Sequence, residues 1–174
     1  MQERTSIRPG RKADLPQVTE LWSALVRHHV ERDSRLSVIA PGGPEKWQRR
    51  LSNLLDDPNC RLYVAEARSD QRLVGFVTGF LRYAPEVFEP QKTGSVADVF
   101  VLSGWRRQRV AWRLLVALTR WFQEEKVDHI EMSMVVRNPA ALSFWRSLGA
   151  QECTMQMWLP TDWQDRGLER EDQG

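Results

Sequence analysis

The chain has 174 residues, of which 41 % are hydrophobic and 28 % are charged, as in an ordinary globular domain. A formal net charge of +2 is too small to indicate nucleic-acid binding. The two cysteines lie far apart and have no ligand spacing with the histidines, so we expect neither a disulfide framework nor a metal site. No apolar run approaches the roughly 18 residues of a membrane span. We therefore expect no membrane association, and a reducing cytoplasmic location.

The N-terminal third is predicted to form one strand and two helices. Thr5–Arg8 is a short strand that ends at a Pro-Gly pair. Asp14 can cap a helix with Gln17 in capping-box spacing, and the apolar face of this helix runs to about His29. A second helix is expected to begin at Pro44 and to end before a proline at position 58.

A hairpin and a long loop are predicted next. Arg61–Glu66 and Leu73–Leu81 are typical of two strands joined by a five-residue turn. Gly75 and Gly79 within the second strand suggest a bulge or a close approach by another group. The segment Arg82–Thr93 is long for a hairpin loop, so it is either a functional flap or simply mobile.

The following segment combines a strand, a basic turn and a helix. An apolar, β-branched run fills 95–102, Ser103 and Gly104 interrupt it, and apolar residues recur at helical spacing from Val110 to about Glu125. Such a junction directs free backbone N–H groups and the positive end of the helix dipole at one spot, which suits a pyrophosphate. The other interpretation is a solvated basic turn between core elements. The arginines of this turn are Arg106, Arg107, Arg109 and Arg113.

Three elements are predicted after this helix. His129–Val136 alternates apolar and polar residues, as a half-buried strand does. Asn138 can cap a helix that Gly149 ends. Glu152–Leu159 alternates again and is predicted to be a last strand, followed by a polar tail.

Two segments resemble the GNAT superfamily of N-acetyltransferases. The run from Val101 to Ala111, Val-x-x-x-Trp-Arg-Arg-Gln-Arg-Val-Ala, with the Leu-Leu pair that follows it, resembles the acetyl-CoA loop Gln/Arg-x-x-Gly-x-Gly/Ala and its helix. Asn138–Ala150 is similar to the family's Asn-x-x-Ala-x-x-Phe-Tyr-x-x-x-Gly-Phe. The spacing of the two segments is also that of the family, and the resemblance covers roughly residues 5–160.

The resemblance implies an α/β (α+β) fold. We expect a mixed, mostly antiparallel central sheet of six to seven strands, with about four helices on both faces. A single domain over residues 1–160 would be followed by a polar C-terminal tail, 161–174. The strands at 95–102 and 129–136 should run parallel and splay apart.

The resemblance also implies acetyl-CoA as co-substrate, with its pantetheine arm in the gap between those two strands. The strand backbone should bond the pantetheine, the loop amides should take the pyrophosphate, and the adenine end should lie near the helix at 138–148. The residues predicted in this way to bind the cofactor are Val99, Phe100, Val101, Arg106, Arg107, Gln108, Arg109, Val110, Ala111, Asn138 and Phe144.

The chain departs from the family pattern at three functional positions. Arg109 stands at the first loop glycine, where its side chain either obstructs the phosphates or pairs with them. The Glu-Asp pair on the central strand is Ala97-Asp98, so Asp98 is the nearest carboxylate for proton removal. Asp98 reaches the site if the strand is bulged; otherwise it pairs with a basic neighbour and water takes the proton, which is the interpretation we favour. Trp145 replaces the tyrosine often assigned as general acid, so Asp98 and Trp145 are the candidate catalytic residues.

The resemblance predicts an N-acetyltransferase that transfers an acetyl group to a primary amine of a small molecule or peptide by direct attack. The alternative is a catalytically weak or inactive relative that binds CoA or a partner as a sensor or scaffold. A homodimer is possible in either case. In the family, the two N-terminal helices wall the acceptor pocket. The residues predicted to line it are Trp22, His29, Tyr83 and Phe88, and His28 and Asp33 are further candidates.

Overall fold

The computed structural model describes residues 4–36, 38–89 and 91–164. The contacts divide the chain into two compact units, Met1–Asn138 and Pro139–Gly174. Within the described residues, no helix combines the length and the apolar character needed to cross a membrane. The strands are β1 (Thr5–Pro9), β2 (Cys60–Ala67), β3 (Leu73–Tyr83), β4 (Lys92–Val101) and β5 (His129–Met132). The α-helices are α1 (Leu15–Arg32), α2 (Gly43–Leu54), α3 (Val110–Glu124) and α4 (Pro139–Ser147).

The strands form one mixed sheet in the order β1-β2-β3-β4-β5. The pairings from β1 to β4 are antiparallel, and β4 runs parallel to β5, which confirms the predicted parallel pair. This last pairing ends where Val96 opposes Met132, although β4 continues to Val101. The end of β4 therefore has an open edge. The described part of the chain gives the sheet five strands, so the prediction of six to seven is wrong for these residues.

Helices α1 and α2 cover one face of the sheet because each has an apolar stripe. Leu15, Val18 and Leu21 of α1 pack with Phe76 of β3 and Phe100 of β4 in one buried cluster. The sequence periodicity that predicted both helices therefore corresponds to real core positions.

Helix α3 covers the opposite face and lies close to the sheet. A Cβ atom on Gly79 would come within 2.6 Å of Leu118, and one on Gly94 within 2.8 Å of Phe122. These two positions need glycine because side chains of α3 occupy the space that a Cβ would take. The close approach predicted for the β3 glycines is therefore present: α3 causes it at Gly79, and the Phe100 carbonyl oxygen of β4, 2.8 Å from a Cβ, causes it at Gly75.

Two predictions for the C-terminal strands are corrected by the structure. The strand expected at His129–Val136 ends at Met132. The strand expected at Glu152–Leu159 is absent, since these described residues have no regular structure and are exposed. Period-2 alternation makes a strand only where a neighbouring strand accepts its backbone hydrogen bonds. The tail predicted at 161–174 lies mostly outside the described residues, which end at Gln164.

The predicted capping box at α1 is also wrong. The Asp14 carboxylate accepts the backbone N–H of Arg11 at 2.7 Å and hydrogen bonds from the Arg8 guanidinium, and its side chain does not cap α1. Gln17 instead accepts the backbone N–H of Leu73 at 3.0 Å. Long-range partners thus compete successfully with the local motif.

Candidate active site

The sheet contains a β-bulge in β4 at the centre of the predicted site. Thr78 of β3 opposes Asp98, whereas the next residue, Gly79, opposes Val96, so that Ala97 is the extra residue. The bulge that the sequence left open is therefore present. It changes which face of the sheet the following side chains occupy.

The consequence for Asp98 follows from the side chains on either side of the bulge. Gly94 faces α3, whereas Phe100 belongs to the cluster under α1 and α2. Regular alternation would put residues 94, 98 and 100 on one face. Because one residue is inserted, Asp98 leaves the α3 face and shares the face of Phe100, beneath α1 and α2.

Asp98 is held there by a neutral partner. The Thr78 hydroxyl donates a hydrogen bond to Asp98 Oδ2 at 3.1 Å, and Thr78 itself is 1 % exposed. Burial raises the pKa of the Asp98 carboxyl above its usual range, and the Thr78 hydrogen bond offsets part of this rise. No basic side chain among the described residues forms an ion pair with Asp98, so the interpretation in which it pairs with a basic neighbour is wrong.

The open edge of β4 presents backbone groups beside Asp98. The Leu102 N–H donates to the Val74 carbonyl at 2.9 Å, which fixes the direction of the alternating polar groups. The N–H and C=O of Val99 and the N–H of Val101 therefore point away from β3, toward the side where β5 has ended. The polar groups of Phe100 point toward β3 instead. Of the three predicted pantetheine residues, Val99 and Val101 thus have the required backbone orientation.

The loop before α3 adopts a left-handed backbone at two arginines. Arg107 has φ 61°, and Arg109 has φ 59° and ψ 14° at the N-cap of α3. No side chain caps this helix end, so the first N–H groups of α3, at Val110 and Ala111, point out of the helix without an intrahelical acceptor. An anion at this end would meet both these N–H groups and the positive end of the helix dipole.

The polar side chains of the loop fall into two groups. Arg106 donates to the Val101 carbonyl at 3.0 Å and lies over the Phe100 ring, and Gln108 donates to the Gly104 carbonyl at 3.1 Å. Both therefore stabilise the loop itself. Arg107 and Arg109 are exposed and pair with no carboxylate among the described residues, which leaves two guanidinium groups available to an anion.

Two of the predicted acceptor residues, Trp22 and His29, lie on α1, which covers the face of the sheet that Asp98 shares. Trp22 stacks on Trp47, with ring centroids 4.7 Å apart, and packs against the buried cluster under α1 and α2. His29 near the end of α1 is half-buried, and burial together with His28 lowers its pKa, so its imidazole is neutral at physiological pH.

The other acceptor candidates are less enclosed or already engaged. Tyr83 and Phe88 are 63 % and 67 % exposed, and the Tyr83 hydroxyl donates to Asn59 Oδ1 at 3.3 Å. Asp33 accepts hydrogen bonds from Arg35 and lies 3.8 Å from the Arg137 guanidinium. Its carboxylate is therefore paired within the protein.

The remaining predicted residues lie at or beyond the boundary of the first unit. The backbone N–H of Asn138, which is buried, donates to the Val135 carbonyl at 3.0 Å, and α4 begins at the next residue, as predicted. Within α4, Trp145 is buried and contacts Phe144 edge to face, with ring centroids 5.5 Å apart.

Thr78 is the site residue that the sequence reasoning missed. It is the single hydroxyl residue in the otherwise apolar run of β3, and it is fully buried. Because a buried hydroxyl needs a hydrogen-bond partner, a lone threonine in this apolar run could have indicated a polar group on the neighbouring strand.

Comparison with known proteins identifies the fold. The family model described as the acetyltransferase (GNAT) family matches residues 19–150. No curated protein matches the chain. Among solved structures, a mutant of the BH1408 protein from Bacillus halodurans has a TM-score of 0.80 at 20 % identity, over 89 % of this chain and 98 % of that one. The aminoglycoside N-acetyltransferase AAC(6')-Iy in complex with CoA has a TM-score of 0.73 at 18 % identity, over 92 % and 97 %.

A third similar structure is glucosamine-6-phosphate N-acetyltransferase from Arabidopsis thaliana, with a TM-score of 0.68 at 17 % identity, over 91 % of this chain and 99 % of that one. At identities of 20 % or less, similarity to these structures shows the fold alone. The family model matches most of the chain and therefore shows the family. The bulged strand, the open β4 edge and the uncapped helix after a basic loop lie within the matched residues. The chain belongs to the GNAT acetyltransferase family.

Proposed function

We propose that this protein is an N-acetyltransferase that transfers an acetyl group from acetyl-CoA to a primary amine of a small molecule or peptide. The observation that carries the proposal is the β4 bulge, because it turns a buried carboxylate with a raised pKa to the face under α1 and α2. That carboxylate, on Asp98, neighbours the open backbone edge at Val99.

The donor would be held at the end of β4 and the start of α3. The backbone of Val99 and Val101 would bond the pantetheine amides in the manner of an added strand. The N–H groups of Val110 and Ala111 and the free guanidinium of Arg109 would take the pyrophosphate. Arg107 would add a second cation, whereas Arg106 and Gln108 would act by holding the loop. Asn138 and Phe144 stay predictions for the adenine end.

The chemistry that acetyl-CoA supplies is an activated acyl carbon with a thiolate leaving group. Asp98 accepts a proton from the incoming ammonium, so that the neutral nitrogen attacks the acyl carbon. A raised pKa suits this role because it brings the carboxylate closer to the pH at which the enzyme works. As the N–C bond forms, the Val99 N–H stabilises the oxyanion that develops, and the nitrogen releases its second proton to solvent as the oxyanion collapses and the C–S bond breaks. The thiolate takes its proton from solvent, since the indole of Trp145 has no titratable proton.

Donor binding is the first test. Calorimetry with CoA should show one molecule bound per chain, with an affinity that falls as salt is added, because the pyrophosphate contacts are ionic. Absence of binding at millimolar CoA would contradict the enzyme proposal.

Proton removal by Asp98 is tested with turnover. Release of CoA from acetyl-CoA would be measured with a panel of polyamines, amino acids, aminoglycosides and peptides, and the best acceptor would then be used for variants. Asp98→Asn should lower kcat by about 10²–10⁴-fold with CoA affinity unchanged, because the base is lost and the shape is kept. Asp70→Asn, which changes an exposed carboxylate of the β2–β3 turn, is the matched control and should leave kcat unchanged.

The pH profile gives a second readout of the same group. The rate should fall on the acid side through a pKa above the ordinary carboxyl range, because protonated Asp98 cannot accept a proton. This acid limb should be absent in Asp98→Asn. A loss of less than tenfold in Asp98→Asn would show that water removes the proton. CoA binding without turnover for every acceptor would favour the sensor or scaffold alternative.

A further inference from the structure

A second concave site lies on the α3 face of the sheet, on the side of α3 that is turned toward β1. It is a groove of about 340 Å³ between the sheet strands β1 and β2 and the outer side of α3. This volume is at the lower end of the range for small-molecule sites. The sheet order separates the groove from the open edge of β4, because β1 is the edge strand farthest from β5. On α3 the groove begins at Trp112, the residue after Ala111.

The groove has an apolar floor and an aromatic rim. Ile7 and Pro9 of β1 and Val116 of α3 line it, and none of the three is fully buried. Trp112 also lines it and is 46 % exposed, an unusual exposure for an indole on a helix whose opposite face is buried. Trp112, Val116 and Arg120 are spaced four residues apart, so they form one stripe along α3. An aromatic ring placed in the groove would contact Trp112 on one side.

The charged residues that line the groove indicate which polar group a ligand carries beside its ring. Arg120 is exposed and forms no ion pair with any described residue, and no lining residue is acidic. Arg8 is already neutralised by Asp14 and Glu66, and Arg113 donates to the Thr5 carbonyl at 3.1 Å and to the Thr5 hydroxyl at 2.9 Å. Of the three lining arginines, Arg120 is therefore the exposed one whose guanidinium can meet a ligand. The groove therefore favours an anion over a cation.

Tyr63 of β2 adds a neutral donor to the lining. Burial raises the pKa of its hydroxyl, which therefore stays protonated at physiological pH. Glu124, one turn beyond Arg120, is close enough to influence Tyr63 but does not line the groove. Its charge limits how far an anion can extend toward that end.

We propose that this groove binds a small aromatic carboxylate, at a site independent of the proposed transfer reaction. The aromatic ring of the ligand lies on the apolar floor against Trp112. Its carboxylate forms an ion pair with Arg120 and accepts a hydrogen bond from the Tyr63 hydroxyl. The class follows from the combination of an exposed indole, an apolar floor and an exposed guanidinium, that of Arg120, with no carboxylate partner among the described residues.

Binding can be tested with 2-naphthoate as the probe on the full chain saturated with CoA. The indole N–H signal of Trp112, identified by its loss in Trp112→Phe, should shift in a saturable way with one molecule bound. The neutral isostere 2-naphthamide should bind at least roughly threefold more weakly, because an exposed ion pair contributes modestly. Arg120→Gln should weaken 2-naphthoate by the same factor and leave 2-naphthamide unchanged. Arg50→Gln, an exposed arginine of α2, is the matched control.

Several outcomes would overturn the proposal. Equal affinity of 2-naphthoate and 2-naphthamide would mean that Arg120 selects no charge. An equal shift produced by inorganic phosphate would mean that the groove holds anions without recognising the ring. Absence of any saturable Trp112 shift at millimolar 2-naphthoate would mean that the groove binds no ligand of this class.

Discussion

At the scale of single residues, Arg109 combines two opposing effects. Its φ of 59° places a non-glycine residue in the left-handed region, which costs on the order of 1 kcal/mol. The same conformation aims the first amides of α3 outward, and the guanidinium is free to meet an anion. We infer that the chain tolerates the backbone strain at this position because the side chain adds charge where glycine has none.

Two variants of Arg109 separate these effects. Arg109→Gly removes both strain and charge, whereas Arg109→Gln removes the charge and keeps the strain. We expect Tm to rise by about 2–4 °C in Arg109→Gly alone, as about 1 kcal/mol is recovered in a chain of this size. CoA affinity measured by calorimetry should fall in both variants. Tighter CoA binding by Arg109→Gly than by the unchanged protein would show that the side chain obstructs the site.

At the scale of elements, the hydrophobic patterns and turn residues of the sequence predicted the four α-helices and the five strands that the described residues form. They did not predict the bulge, since whether Ala97 pairs or protrudes depends on the register with β3. The role of Asp98 followed from that register and was accordingly left open. The wrongly predicted strand at Glu152–Leu159 failed for a related reason, because alternation does not supply a pairing partner.

The approach of β3 to β4 gives a prediction at this scale. A Cβ on Gly75 would lie 2.8 Å from the Phe100 carbonyl oxygen, a backbone atom that cannot move without shifting β4. Gly75→Ala should therefore lower the free energy of unfolding by about 1–3 kcal/mol. Gly104→Ala is the control, because a Cβ at that position would meet nothing within 4 Å. Urea unfolding would compare the two, and equal stabilities would show that β4 yields to the methyl group.

At the scale of the whole molecule, one ion-pair network joins distant parts of the chain. The Arg8 guanidinium of β1 lies 2.7 Å from Asp14, before α1, and 2.7 Å from Glu66 of β2. The hydrogen bond from Arg8 is the main reason that the pKa of Asp14 lies below its ordinary value. The network is partly buried, so it is screened less than a surface pair.

Acid should therefore weaken the whole fold through Asp14. Its pKa is lower in the folded than in the unfolded chain, so its contribution is fully present above about pH 4 and is lost as the pH falls through the folded value. Asp14→Asn should cost about 1–3 kcal/mol in urea unfolding at pH 7, with the difference narrowing as the pH falls below about 4. Asp56→Asn, which breaks the exposed pair with Lys12, should cost under about 1 kcal/mol. Equal effects of the two variants at pH 7 would contradict this account.

The strands lie side by side in the sheet in the same order in which the ribosome makes them. From β2 to β4, each new strand can form a hairpin with the strand synthesised just before it, so closing these pairs costs little loop entropy. Strand β1 pairs with β2 across the segment that contains α1 and α2. The parallel strand β5 must wait until α3 has been made and has crossed the sheet. The gap beside Val99 therefore has a strand on each side only after β5 has paired with β4. A nascent chain would thus complete its hairpins first and acquire the proposed donor cleft beside Val99 among its last steps.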